Sequence, residues 1–191
     1  MVTKTVGKNK QKAILTGTLA LISERGFHDT PMSLIAQRSG VSTGIIYHYF
    51  ENKDDLIHTL YQRIKQEFSA ALLAGDPHEL PWPDHLKLIW MNAYHYYITH
   101  PAETMFLEQY ENSPYHLKWE EMPDENFTRL YALIEQDLAA GFMRPLPDPA
   151  LYALTLGVAS SLAKQQIEGT LKLSADQLAE IANAVCRAIA A

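Results

Sequence analysis

The stretch from Thr30 to Lys53 constrains the fold of this chain more than any other. Its sequence, TPMSLIAQRSGVSTGIIYHYFENK, predicts two short helices joined at Gly40, because glycine adopts the left-handed conformation that ends a helix. We expect Thr30 to cap the first helix, with Pro31 at its first position, and Ser42 to cap the second. This arrangement predicts a helix-turn-helix, whose second helix enters the major groove of DNA.

The second of these helices, residues 43–49, carries side chains of the types that contact DNA. Its hydroxyl and ring groups offer hydrogen bonds, and Gly44 leaves room for the duplex. Lys53, at the start of the next helix, places an ammonium beside free amide groups that attract phosphate. A single tyrosine or histidine on a short helix is more often a packing residue, whereas the whole set favours a DNA interface. The predicted DNA-binding residues are Ser33, Ser42, Thr43, Gly44, Tyr47, His48, Tyr49 and Lys53.

The segment GVSTGIIYHYFENKDDL, preceded by SLIAQRS, resembles the signature of the TetR/AcrR family of one-component transcriptional repressors. The resemblance covers about the first third of the chain. It implies an all-α protein, with an N-terminal three-helix DNA-binding domain and a C-terminal helical domain for ligand binding and dimerisation. The order Tyr47-His48-Tyr49-Phe50 departs from the family pattern, so both His48 and Tyr49 are candidates for the phosphate contact.

Charge is divided unevenly along the chain, whose net charge is −6. Residues 1–53 hold seven lysine and arginine residues against three acidic residues, so the rest of the chain is strongly acidic. A basic end on an acidic body favours binding of phosphate through that end. A solvated tail is the alternative explanation for the lysines from Lys4 to Lys12.

Beyond this motif, the pattern is helical, interrupted by proline and glycine, and no stretch has the alternation of a strand. We expect residues 1–53 to form the DNA-binding domain and residues 54–191 the ligand-binding and dimerisation domain, with the helix 53–73 shared. Residues 1–9 are expected to form a frayed polar arm, and residues 112–123 an irregular link. The further predicted helices span residues 10–25, 84–99, 124–141 and 148–168, with others starting at Pro101 and at the capping box of Ser174 and Gln177.

The last two predicted helices contain small residues on or beside their apolar faces, among them Gly157, Ser160 and Ser161. Such helices pack closely, and two from each of two subunits would form a four-helix bundle. The resemblance implies the same homodimer interface; a hairpin that closes its own domain is the alternative. A twofold dimer would place its recognition helices roughly 35 Å apart on a pseudo-palindromic operator.

The middle helices are rich in aromatic and methionine side chains with a few polar groups. Such a stripe is more often core, but so many hydroxyl and imidazole groups favour a cavity for a small, largely apolar or aromatic effector. The predicted ligand-binding residues are Trp90, Tyr94, His95, Tyr97, Met105, Phe106, Tyr110 and Tyr131. The leading hypothesis is therefore a repressor released from its operator by an effector. In the alternative, the C-terminal domain docks a protein partner and binds no small molecule.

Enzymes and metalloproteins find little support in the sequence. Cys186 is the only cysteine, so neither an intrachain disulfide nor a cysteine-based metal site is expected. The five histidines from His78 to His116 lack the i, i+4 spacing of a metal-binding helix, and common catalytic motifs are missing, so we expect no cofactor and no metal. A site assembled from separate helices is the remaining enzymatic alternative. The first residues lack the apolar segment of a signal peptide and no stretch predicts a membrane span, which favours the cytoplasm.

Overall fold

The computed structural model describes residues 2–117 and 124–191, with side chains described over residues 9–115 and 124–191. These residues form helices and no strand; one isolated bridge joins Met143 and Ala190. The predicted all-α class is therefore confirmed. The helices are α1 (Val2–Arg25), α2 (Met32–Ser39), α3 (Thr43–Tyr49), α4 (Lys53–Leu72), α5 (Asp84–Thr99), α6 (Pro101–Glu111), α7 (Glu125–Ala139), α8 (Asp148–Leu154), α9 (Leu156–Ile167) and α10 (Ala175–Ile189), with 3-10 turns at Pro77–Glu79 and Pro114–Leu117.

The described residues pack into two compact units. The first, called the head, comprises the described parts of residues 1–64 and 102–122, and the second, called the body, those of residues 65–101 and 123–191. Helix α4 therefore begins in the head and ends in the body. Helix α6 packs in the head, although it follows α5 of the body in sequence.

The head has its own apolar core, formed by α1 to α4 together with α6. Phe27, just beyond α1, packs its ring against Phe106 and Tyr115, with ring centroids 5.7 and 5.0 Å away. Tyr61 of α4 stacks on Tyr110 of α6 at 4.1 Å. Offset and edge-on ring pairs of this kind add to the free energy gained by burying their apolar area, so α6 closes the head beneath the helix-turn-helix.

The predicted caps of the helix-turn-helix are confirmed with one exception. Gly40 has a φ of 66°, and its N–H donates to the end of α2, while Ser42 Oγ accepts from the N–H of Ile45. The cap predicted at Thr30 is wrong: Thr30 is fully buried, its hydroxyl donates to the carbonyl of Gly26 at 2.8 Å, and Pro31 stands at the N-cap of α2. A buried hydroxyl needs a hydrogen-bond partner, and that carbonyl provides it.

Helix α1 starts at Val2 rather than at residue 10, so the predicted frayed arm is helical over its described residues. No proline interrupts this stretch, and a polar sequence tolerates a helix. Gly17 in α1 has a packing role that the sequence did not indicate. A Cβ atom there would overlap with Ser39 Oγ of α2, so the missing side chain lets the two helices approach closely.

The body packs α5 against α7, α9 and α10 around a second apolar core. The single helix predicted over residues 148–168 is wrong, because α8 and α9 are separate helices that meet at Thr155, with φ −116° and ψ −92°. At this break the Thr155 carbonyl accepts from Trp90 Nε1 of α5 at 3.2 Å, and the Thr155 hydroxyl donates to the carbonyl of Leu151 at 2.6 Å. A tertiary hydrogen bond therefore overrides the helical pattern of the sequence.

The remaining helix ends follow the predictions. Asp124 accepts from the N–H groups of Asn126 and Phe127 and caps α7, and the capping box of Ser174 and Gln177 begins α10. The predicted link at 112–123 forms a 3-10 turn over Pro114–Leu117, and its residues 118–123 lie outside the described residues. Across the part of the chain that the structure describes, every helix is too short or too polar to cross a lipid bilayer.

Candidate DNA interface and candidate ligand cavity

Helix α3 has one buried side and one side exposed to solvent. Ile46 is fully buried, whereas Tyr47 is 54% exposed. Gly44 and His48 are also exposed and lie one turn apart, while Thr43 is half-buried and lies one turn before Tyr47. Residues four apart are neighbours on a helix surface. These four residues therefore form one continuous face that is open on the head, and we call it the recognition face.

The other predicted DNA-binding residues in this region surround that face. Ser33 and Ser42 are exposed, and Ser42 uses an oxygen lone pair as the α3 cap, which leaves its O–H able to donate. His48 is exposed and packs edge-on against the half-buried ring of Tyr49, with centroids 5.1 Å apart. Of the two phosphate candidates, His48 is therefore the more accessible.

Lys53 makes a contact that the sequence did not indicate. Its ammonium donates to the carbonyl of Phe27 at 2.5 Å and so ties the first residue of α4 to the turn after α1. Partial burial lowers the pKa of Lys53, partly offset by the negative charge of Asp54. An ammonium has three donors, so this bond leaves others for phosphate. The two residues are 26 positions apart, and no local pattern could have connected them.

Helix α2 is held in place by a second contact that the sequence analysis missed. Arg38 donates through both terminal nitrogens to the two carboxylate oxygens of Glu24 in α1, at 3.0 and 2.7 Å. This paired bond lowers the pKa of Glu24 and raises that of Arg38. The pair lies in water, where its free energy is small, but its fixed geometry orients α2 relative to α1.

The predicted ligand-binding residues do not come together. Met105, Phe106 and Tyr110 belong to the head, where Phe106 and Tyr110 are core residues and Met105 is half-buried. His95 and Tyr131 belong to the body but are exposed, Tyr131 by 54%.

The other three predicted residues lie in the body core. Tyr97 stacks on Phe68 at 5.1 Å, and Tyr94 donates to Gln166 Oε1 at 2.5 Å and stacks on Trp90 at 5.9 Å. Burial raises the pKa of the Tyr94 hydroxyl. Of the eight predicted residues, only Trp90 lines the cavity found within the body.

This cavity lies between α5, α7, the α8–α9 break and α10, and has a volume of about 60 Å³. Most of its wall is apolar, including Trp90, Met143 and Ile189. About 10–15 Å³ of such space holds one water molecule, so the cavity has room for a small ligand. We call it the body cavity.

His85 of α5 and Asp137 of α7 form a buried pair in the wall of the body cavity. His85 Nε2 and Asp137 Oδ2 are 2.7 Å apart, and the two side chains are only 5% and 10% exposed. The ring of Trp82 packs edge-on against His85 at 5.7 Å. The pair was not predicted, although the sequence contains an indication of it. Each residue occupies a position where the apolar stripe of its helix predicts a hydrophobic side chain, near Ile89 in α5 and near Leu133 in α7.

No group of three or more potential metal ligands occurs within the described residues. The recognition face offers hydroxyl, phenol and imidazole groups, and the wall of the body cavity is mostly apolar. The recognition face suits a polyanionic partner, and the body cavity suits a small molecule.

Two family models match the chain. One, described as bacterial regulatory proteins of the tetR family, matches residues 14–60, and another, described as a tetracyclin repressor-like C-terminal domain, matches residues 81–190. The first range contains α2 and α3, and the second contains α5 and the whole body cavity.

Individual proteins are similar to the chain as well. An uncharacterised HTH-type transcriptional regulator from Haemophilus influenzae is 26% identical over 159 residues, which cover 78% of this chain and 79% of that protein. The HTH-type regulator BetI of Escherichia coli is 39% identical over 72 residues, covering 38% of this chain and 36% of BetI. A crystal structure of a TetR family transcription regulator from Marinobacter aquaeolei has a TM-score of 0.85 at 20% identity and covers 100% of this chain and 99% of its own, which shows the same fold.

Proposed function

The chain belongs to the TetR family of bacterial transcriptional regulators, and from that membership we propose that it is a homodimeric repressor released from its operator by a small effector. The proposed DNA contacts are those of the recognition face together with Ser33, Ser42, Tyr49 and Lys53. The effector site is the body cavity. The protein acts on DNA in the cytoplasm.

The observation that carries the proposal is the recognition face. Tyr47 has more than half of its surface in water and so contributes little to the packing of the head, and a Cβ atom at Gly44 would meet only Ser42 Oγ, at 3.9 Å. Both are explained if a duplex covers them, because tyrosine and histidine groups donate to phosphates or bases and glycine allows close approach.

Dimerisation through α9 and α10 is supported by apolar surface next to these helices. Tyr152 and Leu154, at the end of α8, are 43% and 39% exposed. Contiguous exposed apolar side chains mark surfaces that bind another protein. The half-exposed Gly157 and Ser160 of α9 would let a second copy approach closely.

A route for the effector signal starts at α5, which lines the body cavity with Ile89 and Trp90. One turn along, the Asn92 side chain donates to the carbonyls of Leu72 and Ala74, at 3.0 and 2.8 Å. These carbonyls end α4, the helix that begins in the head. We infer that a ligand pressing on α5 moves the end of α4 and spreads the two recognition helices. The effector must bind the spread state more tightly than the DNA-bound state, since equal affinity shifts nothing.

The experiment is selection of duplexes from a random pool by the purified protein, with its mass measured by light scattering. We expect a dimer that selects sites with two symmetric halves about one helical turn apart. The logarithm of the binding constant should fall linearly with the logarithm of the salt concentration. A monomer, or a protein that selects no sequence even at low salt, would contradict the proposal.

A second candidate is a DNA-binding regulator whose body docks a protein partner without any effector. The exposed large apolar residues Tyr131, Leu138 and Phe142, in and after α7, favour it. Replacing Leu156 with Phe should fill the body cavity. Under the first proposal this variant stays on its operator whatever small molecule is added, and under the second its regulation is unchanged.

A further inference from the structure

We propose that the body cavity selects its effector by charge: the ligand is a small primary or secondary ammonium ion with a compact apolar group, and Asp137 binds its N–H groups. This inference rests on the proposed function, because it specifies the chemical class of the effector at the same site. It follows from the carboxylate oxygen that the cavity wall leaves open, from the lack of lysine and arginine among the described lining residues and from the size of the space.

The polar side chains of the cavity wall are those of Thr155, Asp137 and His85, and the last two have atoms without a partner in the described part of the chain. The hydroxyl of Thr155 already donates to Leu151, and its carbonyl already accepts from Trp90. Asp137 uses one carboxylate oxygen for His85, and its other oxygen has no hydrogen-bond partner among the described residues. The same holds for Nδ1 of His85. Both residues are more than nine-tenths buried, with 7% and 4% of their surface exposed.

Asp137 is the acidic residue in the lining of the body cavity. No lysine or arginine is among the described residues that line it, and His85 is the only partner of the carboxylate. A buried carboxylate is stable when it is paired and hydrogen-bonded. An ammonium ion supplies a positive charge and two or three donors to the open oxygen, and charge-assisted bonds are about twice as strong as neutral ones. An anionic ligand would instead be repelled by Asp137.

The size of the cavity limits the rest of the ligand. Since about 10–15 Å³ holds one water molecule, the volume of the body cavity fits a group of about four to six non-hydrogen atoms. The apolar side chains opposite Asp137, among them Ile89, Leu156 and Ile189, suit an alkyl group or a small ring. The site therefore fits a short amphiphilic ligand whose nitrogen lies beside Asp137, between α5 and α7.

The test uses three probes of nearly equal shape on the purified protein: n-butylammonium, 1-butanol and butanoate. Isothermal titration calorimetry should show n-butylammonium binding at least about tenfold more tightly than 1-butanol, and no binding of butanoate. Equal affinities for n-butylammonium and 1-butanol, or no binding of n-butylammonium, would overturn the inference. This comparison uses the wild-type chain, so it stands whether or not a variant folds.

Two matched variants locate the selecting group. Asp137→Asn keeps the shape and a hydrogen bond to His85 but removes the charge, so the preference for n-butylammonium should disappear. Asp148→Asn removes an exposed carboxylate at the start of α8 and should leave the preference unchanged. If Asp137→Asn keeps the preference for n-butylammonium and melts at an unchanged temperature, the ammonium group binds elsewhere. That result would overturn the assignment of the site to Asp137.

Operator binding is measured on the same samples by fluorescence anisotropy, which separates this inference from the proposed function. If n-butylammonium binds with the expected preference but operator affinity is unchanged, the ligand class is supported and release by an effector is wrong. If the chain binds DNA but prefers 1-butanol or butanoate, the repressor remains and the ammonium class is wrong.

Discussion

The recognition face and the body cavity place their functional groups in opposite environments. Tyr47 and His48 lie in water on a seven-residue helix whose single buried residue, Ile46, holds it to the head. His85 and Asp137 lie inside the body, where they are part of the packing. In the head, the most exposed side chains proposed to contact DNA contribute little to stability, which depends on other residues. In the body, the residues proposed to bind the ligand are also part of the packing.

The largest expected effect tests this difference directly. Changing His85→Leu leaves Asp137 buried without its partner and should lower the free energy of unfolding by about 3–5 kcal/mol. Tyr47→Ala, an exposed site, should change it by less than about 0.5 kcal/mol. Urea unfolding followed by circular dichroism measures both.

A double variant serves as the control for that prediction. Combining His85→Leu with Asp137→Leu removes both polar partners and should recover most of the lost stability, since replacing both members of a buried polar pair by apolar groups is often nearly neutral. If the single and double variants were equally unstable, the loss would come from altered packing and not from an unpaired carboxylate.

The second prediction concerns DNA affinity. Tyr47→Ala should weaken operator binding by about 1–3 kcal/mol, roughly ten- to a hundredfold, because it removes a contact from the recognition face. Tyr131→Ala is its matched control, since both tyrosines are 54% exposed and Tyr131 lies on α7 of the body. Anisotropy titrations should show a loss for Tyr47→Ala alone. If Tyr47→Ala and Tyr131→Ala lowered operator affinity equally, the loss could not be assigned to the recognition face.

Lys53 is a proposed DNA contact that also supports the fold, so its replacement should affect both DNA affinity and stability. Lys53→Met keeps the aliphatic stem but removes the ammonium, so the slope of the salt dependence should fall by about one unit. The carbonyl of Phe27 also loses its donor, which should cost about 1 kcal/mol of stability. Lys172→Met, at an exposed site in the body, should change neither quantity.

The same difference explains what the sequence could predict. The helix-turn-helix depends on short-range signals, such as Gly40 in its left-handed conformation and the cap at Ser42, and these are visible in a single stretch. The body cavity depends on residues far apart in sequence: His85 and Asp137 are 52 positions apart, and the break at Thr155 follows from a bond to Trp90 that is 65 positions away.

Aromatic content did not predict which residues line the body cavity. Phe106 and Tyr110 have the composition of a cavity wall, but α6 packs them in the head core. Periodicity could not distinguish these uses, because a buried ring has the same spacing in a core as in a cavity. A polar residue within an apolar stripe, as at Asp137, does mark the wall of the body cavity.

The smallest expected effect comes from Gly44→Ala, which should raise the stability of the protein and lower its affinity for the operator. A Cβ atom at position 44 would lie 3.9 Å from Ser42 Oγ and meet no other atom closely, so Gly44→Ala fits the free head. Alanine should stabilise α3 by up to about 1 kcal/mol, since glycine loses more backbone entropy in a helix. In the proposed complex the same methyl group would stand where the backbone approaches the duplex, so operator affinity should fall although the protein melts at a higher temperature. Thermal melts and anisotropy titrations on one sample measure the two changes. If Gly44→Ala raised both stability and operator affinity, Gly44 would not lie in the DNA interface, and glycine would not be needed there for close approach.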